Sequence, residues 1–414
     1  MTALRSDNRT SLGIAADPAP NAAGPFAWLW AGLARRVAQR INAGLVSGSL
    51  RATVPGGSSM ILGGRTPGIA AEASLHHWRG LVRVATGGSI GLYQGWEAGD
   101  WSSTDPVKVF ALFVANADAL GNTARASGPW RWAARVGHWL NRNTRAGARR
   151  NIHTHYDLGN DFYAAWLDPE LVYSSALFSA PGEDLAVAQQ RKLAAIAERI
   201  DGARSVLEIG CGWGALAQHL HDAGIAVTAI SLSDAQLDWA RQHRATEIDF
   251  RKTDYRDVQG QYDAIVSVEM VEAVGREYWA DFFGCLSRCL KPGGSAAVQY
   301  IAIREDLFPA YSASADFIQA YVFPGGMLVN EAEFKQLAQD NGLEWSDQAD
   351  FPLDYAETLR IWRENFDAAI AEGRLPAQFD ARFQRLWRFY LMYCEGGFRG
   401  GGITVAQVTL RKAS

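Results

Sequence analysis

The chain's 414 residues are 48 % hydrophobic and 20 % charged, the balance of a globular protein with length for two or three domains. A formal net charge of −4 excludes a polycation, so attraction to phospholipid or nucleic acid has to come from a local basic patch. The cysteines Cys211, Cys285, Cys289 and Cys394 form no CxxC pair and have no histidine at zinc-ligand spacing; this argues against a disulfide framework, predicts no metal site, and fits a reducing cytoplasm.

Residues 1–24 read as a polar, disordered tail rich in Asn and Ala, and no apolar run reaches the ~20 residues a bilayer span needs. The protein is therefore expected to sit on a membrane without crossing it. Phe26, Trp30, Leu33, Val37 and Ile41 then recur at steps of three and four, with Arg35, Arg36 and Arg40 largely opposite, which predicts an amphipathic helix. Docking on its own domain is favoured over an interfacial membrane helix, for which Trp28 and Trp30 would be the anchors. From about Leu50 to Ala119 a short β-like stretch gives way to helices, with Tyr93, Trp96 and Trp101 in the phrase GLYQGWEAGDW.

Between Asp118 and Asp157 there is no acidic residue, while Arg125, Arg131, Arg135, Arg142, Arg145, Arg149 and Arg150 are interleaved with Trp130, Trp132 and Trp139. Anionic headgroups attract such a segment by about 1 kcal/mol per basic residue, and Trp prefers the membrane interface. A solvated linker and a single-stranded nucleic acid site are the competing readings. A phospholipid surface on the inner face of the membrane is the expected partner and nucleic acid is not; assembly into homo-oligomers is left open. Residues 25–149 are read as a smaller, mainly helical N-terminal domain.

Beyond residue 150 short apolar strands alternate with helices. Ser205 to Ile209, Ala226 to Ile230, Tyr262 to Val268 and Ser295 to Ile301 read as buried parallel strands, and Ala215 to Ala223 and Ala235 to Arg244 as helices between them. This predicts a doubly wound, Rossmann-like α/β domain over 150–414. A helical stretch around Tyr355 to Tyr393 and an alternating strand, Ile403 to Leu410, close the chain. The strand VLEIG runs into CGWG and a helix, so Gly210, Gly212 and Gly214 fall in the first strand-to-helix turn, where ligands of such sheets bind. Backbone amides there can meet the carboxylate of S-adenosylmethionine, and Glu208 can serve its cationic side. Ser231, Ser233, Asp234 and Gln236 stand where a dinucleotide enzyme would place its ribose acid, and Asp254 with Tyr255 suits an adenine edge and face. Together these favour S-adenosylmethionine over a dinucleotide.

The segments HYDLGNDFYAAWLDPELVYSSALF, VLEIGCGWGALA, VEMVEAVG, LKPGG, FIQAYVFPGGML and FYLMYCEGGFRGG, spread over residues 150–414, resemble the cyclopropane fatty acid synthase family. The region before 150, with its GLYQGWEAGDW phrase, resembles the N-terminal helical domain of the bacterial lipid-acting members. The resemblance implies a class I methyltransferase that uses S-adenosylmethionine on the cis double bond of a phospholipid acyl chain, with bicarbonate as proton acceptor. Carried over position by position, it implies that Tyr173, Ser174, Gly210, Gly212, Gly214, Ser231 and Gln236 line the cofactor. Ser175, Glu272, Gln299, Tyr355 and Cys394 would surround the ion and the reacting carbon.

In the family's usual pattern cysteine stands at Ser175 and histidine at Gln299, and a glutamine cannot titrate as a histidine does. A methyl-branched product is therefore expected at least as readily as a cyclopropane, with Glu272 acting as base or as electrostatic support. Plainer readings stand beside these: Glu272 as an exposed helix-start carboxylate, Gln299 as a satisfied core amide, Cys394 as apolar packing, and His153 and His155 as structural groups. A same-fold methyltransferase of a soluble small molecule, and a non-catalytic binder of cofactor or lipid, are the alternative functions.

Overall fold

The computed structural model describes residues 27–121, 158–313 and 315–414, with residues 27–34 as backbone alone. The tail, the Arg- and Trp-rich run from Arg125 to Arg150, the expected domain boundary at 149/150, and His153 and His155 lie outside the described residues.

The N-terminal part begins with the helix Ala27–Gly44. Val37 and Ile41 are buried against Leu45, Leu50, Leu62 and Leu112, while Arg35, Arg36 and Arg40 face solvent. The described half of this helix thus docks on its own domain. A four-stranded sheet follows, built from β1 (Ser47–Thr53), β2 (Ser59–Gly63), β3 (Thr66–Leu75) and β4 (Trp101–Ser102) in the order β2-β1-β3-β4. It is larger than the short β-like stretch expected, because its strands are rich in Gly, Ser and Ala and carry little alternation to read. Gly48 shows why: it sits at a register shift with φ +76°, and a Cβ there would lie 2.3 Å from the carbonyl oxygen of Ile69.

The C-terminal part is built on a seven-stranded sheet of order β10-β11-β9-β8-β5-β6-β7. Its strands are β5 (Ser205–Ile209), β6 (Ala226–Ser231), β7 (Asp249–Lys252), β8 (Tyr262–Val268), β9 (Leu290–Ile303), β10 (Leu343–Asp350) and β11 (Ile403–Lys412). β5 to β9 run parallel and β11 runs antiparallel to both β9 and β10. The parallel strands are near-continuous apolar runs because helices cover both faces. β11 alternates in sequence, yet Gln407 and Thr409 are as buried as its apolar residues, since it lies inside the sheet.

The C-terminal helical stretch is two helices, Pro352–Ala371 and Ala381–Arg399, packed on each other. The second also carries the N-terminal part. Tyr93 and Phe110 place their rings 5.3 and 5.2 Å from that of Phe389, and Tyr93 lies 5.0 Å from Phe317. A Cβ on Gly396 would come within 2.4 Å of Phe110 Cβ, so the close approach requires glycine. Both parts therefore share one aromatic core. No helix among the described residues is long and apolar enough to cross a membrane.

Candidate active site

The first strand-to-helix turn opens on a cavity at the carboxyl ends of β5, β6 and β8. Gly210, Gly212 and Gly214 all have positive φ. The amides of Gly210 and Cys211 both donate to the carbonyl of Ile230 at 3.0 Å, which ties the turn to β6. A Cβ at Gly212 would meet no protein atom within 4 Å, so this residue faces the open cavity. Gly214 does not line the cavity: it caps the helix Ala215–Asp222 in the left-handed conformation, and a Cβ there would sit 2.8 Å from the ring of Phe250. Its glycine serves packing.

Tyr173, Ser174, Glu208, Gly210, Gly212, Ser231, Gln236, Asp254 and Tyr255 all line this one cavity. The Ser231 hydroxyl donates to Gln236 Oε1 at 3.2 Å, and Ser233 caps the helix Asp234–His243 through the amide of Gln236. Asp234 instead pairs with Lys252 at the surface, 2.5 Å away. Asp254 is already held by Arg256, through the backbone amide, Nε and Nη2 at 3.0, 2.8 and 2.6 Å, so it is a fixed acceptor wall beside the Tyr255 ring. Glu208 is buried and its Oε2 has no hydrogen-bond partner. Burial pushes its carboxyl up to about 8, with Lys192 opposing. A buried, unpartnered carboxylate beside an amide-lined glycine turn is what a ligand carrying both an ammonium and a carboxylate would complete, so these residues fit S-adenosylmethionine.

The same cavity runs on past the end of β8 to Glu269, Met270 and Ala273; the expected reacting residues do not line it themselves but surround or follow Glu269. Glu272 sits in the turn Val271–Ala273, and the Ile301 amide donates to its Oε1. Its Oε2 is buried and unpartnered, which overturns the exposed-carboxylate reading. Burial, together with the nearby charge of Glu269, raises the Glu272 carboxyl to about 8. Three of the other residues converge elsewhere. Ser175 N (2.9 Å) and Gln299 Nε2 (2.7 Å) donate to Glu269 Oε1, and the Tyr355 hydroxyl donates to Glu269 Oε2 at 2.6 Å. Gln299 is itself oriented, since Gln407 Nε2 donates to its Oε1 at 3.0 Å. The Ser175 hydroxyl turns away to the carbonyl of Ala176.

Glu269 is thus the centre of the constellation, and sequence reasoning missed it. Lys192 was missed as well: fully buried, it donates to Ser174 Oγ at 2.8 Å, and burial lowers its ammonium to about 8 against the pull of Glu269, Asp168 and Glu208. The first glutamate of VEMVE is the signal the sequence offers for Glu269; its φ of +48° is visible only in the structure. Because the donors of Ser175, Gln299 and Tyr355 are already used by a carboxylate of the chain, the residues present do not fit a bicarbonate ion among them. Cys394 packs in the aromatic core near Tyr355, its thiol pushed up by burial and the charge of Asp316; this matches the apolar-packing reading. Among the described residues no group of His, Cys, Asp and Glu could hold a metal ion.

Beyond Glu269, around Tyr355, aromatic rings pack on one another in the shared core. The Tyr173 and Tyr390 hydroxyls are 2.9 Å apart, and the Phe323 ring lies 6.0 Å from that of Tyr390. The Tyr355 ring lies 4.6 Å from that of Phe398, tilted by 30°, and Tyr173 lies 5.3 Å from Trp362.

Comparison with known proteins gives concordant matches. The family described as mycolic acid cyclopropane synthetase matches residues 143–408. The chain is 37 % identical to the tuberculostearic acid methyltransferase UfaA1 of Mycobacterium tuberculosis, over 79 % of this chain and 80 % of that protein. It is 34 % identical to the cyclopropane-fatty-acyl-phospholipid synthase of Escherichia coli, over 62 % of this chain and 66 % of that protein. Among solved structures it resembles the mycolic acid cyclopropane synthase CmaA1 complexed with SAH and CTAB, with a TM-score of 0.60 and 26 % identity, covering 64 % of this chain and 98 % of that one.

Proposed function

We propose that this chain, which belongs to the mycolic acid cyclopropane synthetase family of S-adenosylmethionine-dependent methyltransferases, methylates the double bond of a phospholipid-bound unsaturated fatty acyl chain. One observation carries the reading: the cavity that holds the glycine turn and Glu208 runs on to Glu269, and the buried carboxyl group of Glu272 follows three residues later, close enough to feel the charge of Glu269. When bound, S-adenosylmethionine supplies an electrophilic methyl carbon that accepts the electron pair of the alkene as its bond to sulfur breaks. An alkene is a weak nucleophile, so close alignment in a water-excluding site is what the protein has to contribute.

The aromatic core excludes water, and the faces of Tyr173, Phe323 and Tyr355 are suited to a carbocation left on the acyl chain. Glu272, its Oε2 unpaired, adds negative charge where that cation forms. A proton taken from the new methyl group closes a cyclopropane ring, and one taken from a neighbouring carbon leaves a methyl-branched alkene. The methyltransferase name of the 37 % identical relative supports methyl branching at least as well as ring closure. The Arg- and Trp-rich segment 125–150 supports peripheral attachment to anionic lipid on the cytoplasmic face.

Mass spectrometry of phospholipids from cells with and without the protein tests the function. The expected result is a gain of one CH2 unit located within the acyl chain at a former double bond. A gain in the headgroup, or none, would contradict it.

A further inference from the structure

We infer that the carboxylate of Glu269 is the chain's own proton acceptor and occupies the place of a bound anion, so that turnover needs no bicarbonate. This inference rests on the function proposed above and extends it to the identity of the base.

The argument begins with the backbone. Glu269 has φ +48°, a left-handed conformation that is strained for a residue with a Cβ. Glycine is the natural occupant of such a position, and a glutamate held there points to a use for its side chain. That side chain meets donors only: one backbone amide, one side-chain amide and one phenolic hydroxyl. The Gln299 amide cannot turn its oxygen toward Glu269 without giving up Gln407, so its orientation is set from behind. A carboxyl group whose oxygens accept three hydrogen bonds and give none is held as the anion. The cation of Lys192 lies on the same side of the balance.

Burial opposes these contacts and leaves the Glu269 carboxyl above its ordinary value, so the group is an anion with raised basicity, the property a proton acceptor needs. Glu272 is the less suited of the two, since one oxygen accepts a backbone amide, the other has no donor, and its carboxyl is raised to about 8. The pair is split by environment into an anion and a group near its titration point. In the step itself, Glu269 removes a proton from the cationic acyl chain. The C–H electron pair closes the ring, or forms a new double bond, and neutralises the cation. The proton remains on Glu269 until it passes to water after product leaves.

The test uses the full-length protein, vesicles of a monounsaturated phospholipid, and buffer freed of carbon dioxide. Wild-type turnover should change by less than about twofold when bicarbonate is restored, while Glu269→Gln should lower kcat by about 100-fold with cofactor affinity, read by calorimetry, nearly unchanged. Glu269→Gly relieves the backbone and opens room for a small anion. Carbon-13-labelled bicarbonate should show saturable line broadening with that variant and none with wild type. Wild-type activity that depends on bicarbonate, saturable bicarbonate binding by wild type, or full turnover by Glu269→Gln would each overturn the inference. A wild-type protein that methylates no unsaturated lipid in either buffer would count against the proposed function, whereas the labelled-bicarbonate arm decides the place of Glu269 by itself.

Discussion

The two halves of the site, the cofactor cavity and the hydrogen-bond set around Glu269 at its end, are assembled from the sequence in opposite ways. The cofactor half is largely local: Glu208 to Gly212, Ser231 to Gln236 and Asp254 with Tyr255 each leave the end of a strand, and the parallel sheet brings those ends together. The reacting half is non-local. Glu269 gathers Ser175, Gln299 and Tyr355 across separations of 94, 30 and 86 residues, and Gln407 supports Gln299 from 108 residues away. A turn tolerates sequence change wherever its backbone survives, whereas a converged hydrogen-bond set changes its chemistry when one member changes. Substitutions in the first half should therefore act on cofactor affinity, and those in the second on turnover.

The largest effect is expected at the turn. Gly212→Val places a branched side chain into the cavity and strains a φ of +51°, and should weaken S-adenosylmethionine binding by more than about 100-fold in calorimetry. Unchanged affinity would remove the turn from the cofactor site. Next comes Glu272→Gln, which keeps the shape and the Ile301 contact but removes the charge. Its kcat should fall by about 100-fold while cofactor affinity stays within a few-fold. In wild type, turnover should rise with pH toward about 8 as Glu272 ionises, and the variant should lose that rise. A variant with the wild-type pH profile would show that this carboxylate carries no part of the reaction.

A smaller change should follow Gln407→Leu, which touches neither cofactor nor substrate. It leaves the Gln299 amide oxygen without its donor, at about 1–3 kcal/mol of stability, and frees the amide to turn its oxygen toward Glu269. Turnover should drop about tenfold with cofactor affinity intact. Equal losses in both would mean that the two halves are not separable.

The smallest effect concerns stability. Glu208 has an ordinary value of 4.5 and is raised to about 8 by burial, so the folded protein binds a proton that the unfolded chain releases between those limits. Without cofactor, this group's contribution is full below about 4.5 and is lost as pH rises toward 8. Urea denaturation across that range should show a shallower decline for Glu208→Gln than for wild type. An unchanged decline would place the titration elsewhere.

The same contrast explains what the sequence made legible. β5, β6 and β8 and the helices after β5 and β6 fall within a residue or two of their expected bounds, because short, mostly apolar runs alternating with helical segments leave little choice. Ser175, Gln299 and Tyr355 were singled out, but the carboxylate they surround was not. In VEMVEAVG both glutamates follow the strand at plausible places, and only the distant donors distinguish Glu269. The repeat Gly210, Gly212 and Gly214 points to the cofactor as a whole and does not say which member faces the ligand and which lets Phe250 approach. The N-terminal sheet was under-read because Gly48 and the small residues around it mask strand alternation.

Methyl transfer to an acyl double bond is tested most directly with purified protein, methyl-labelled S-adenosylmethionine, and vesicles that differ only in acyl unsaturation. After hydrolysis of the lipid, label should be recovered in the fatty acid from monounsaturated vesicles and be absent from that of saturated ones. Label in the headgroup, or equal label from both kinds of vesicle, would contradict the assignment.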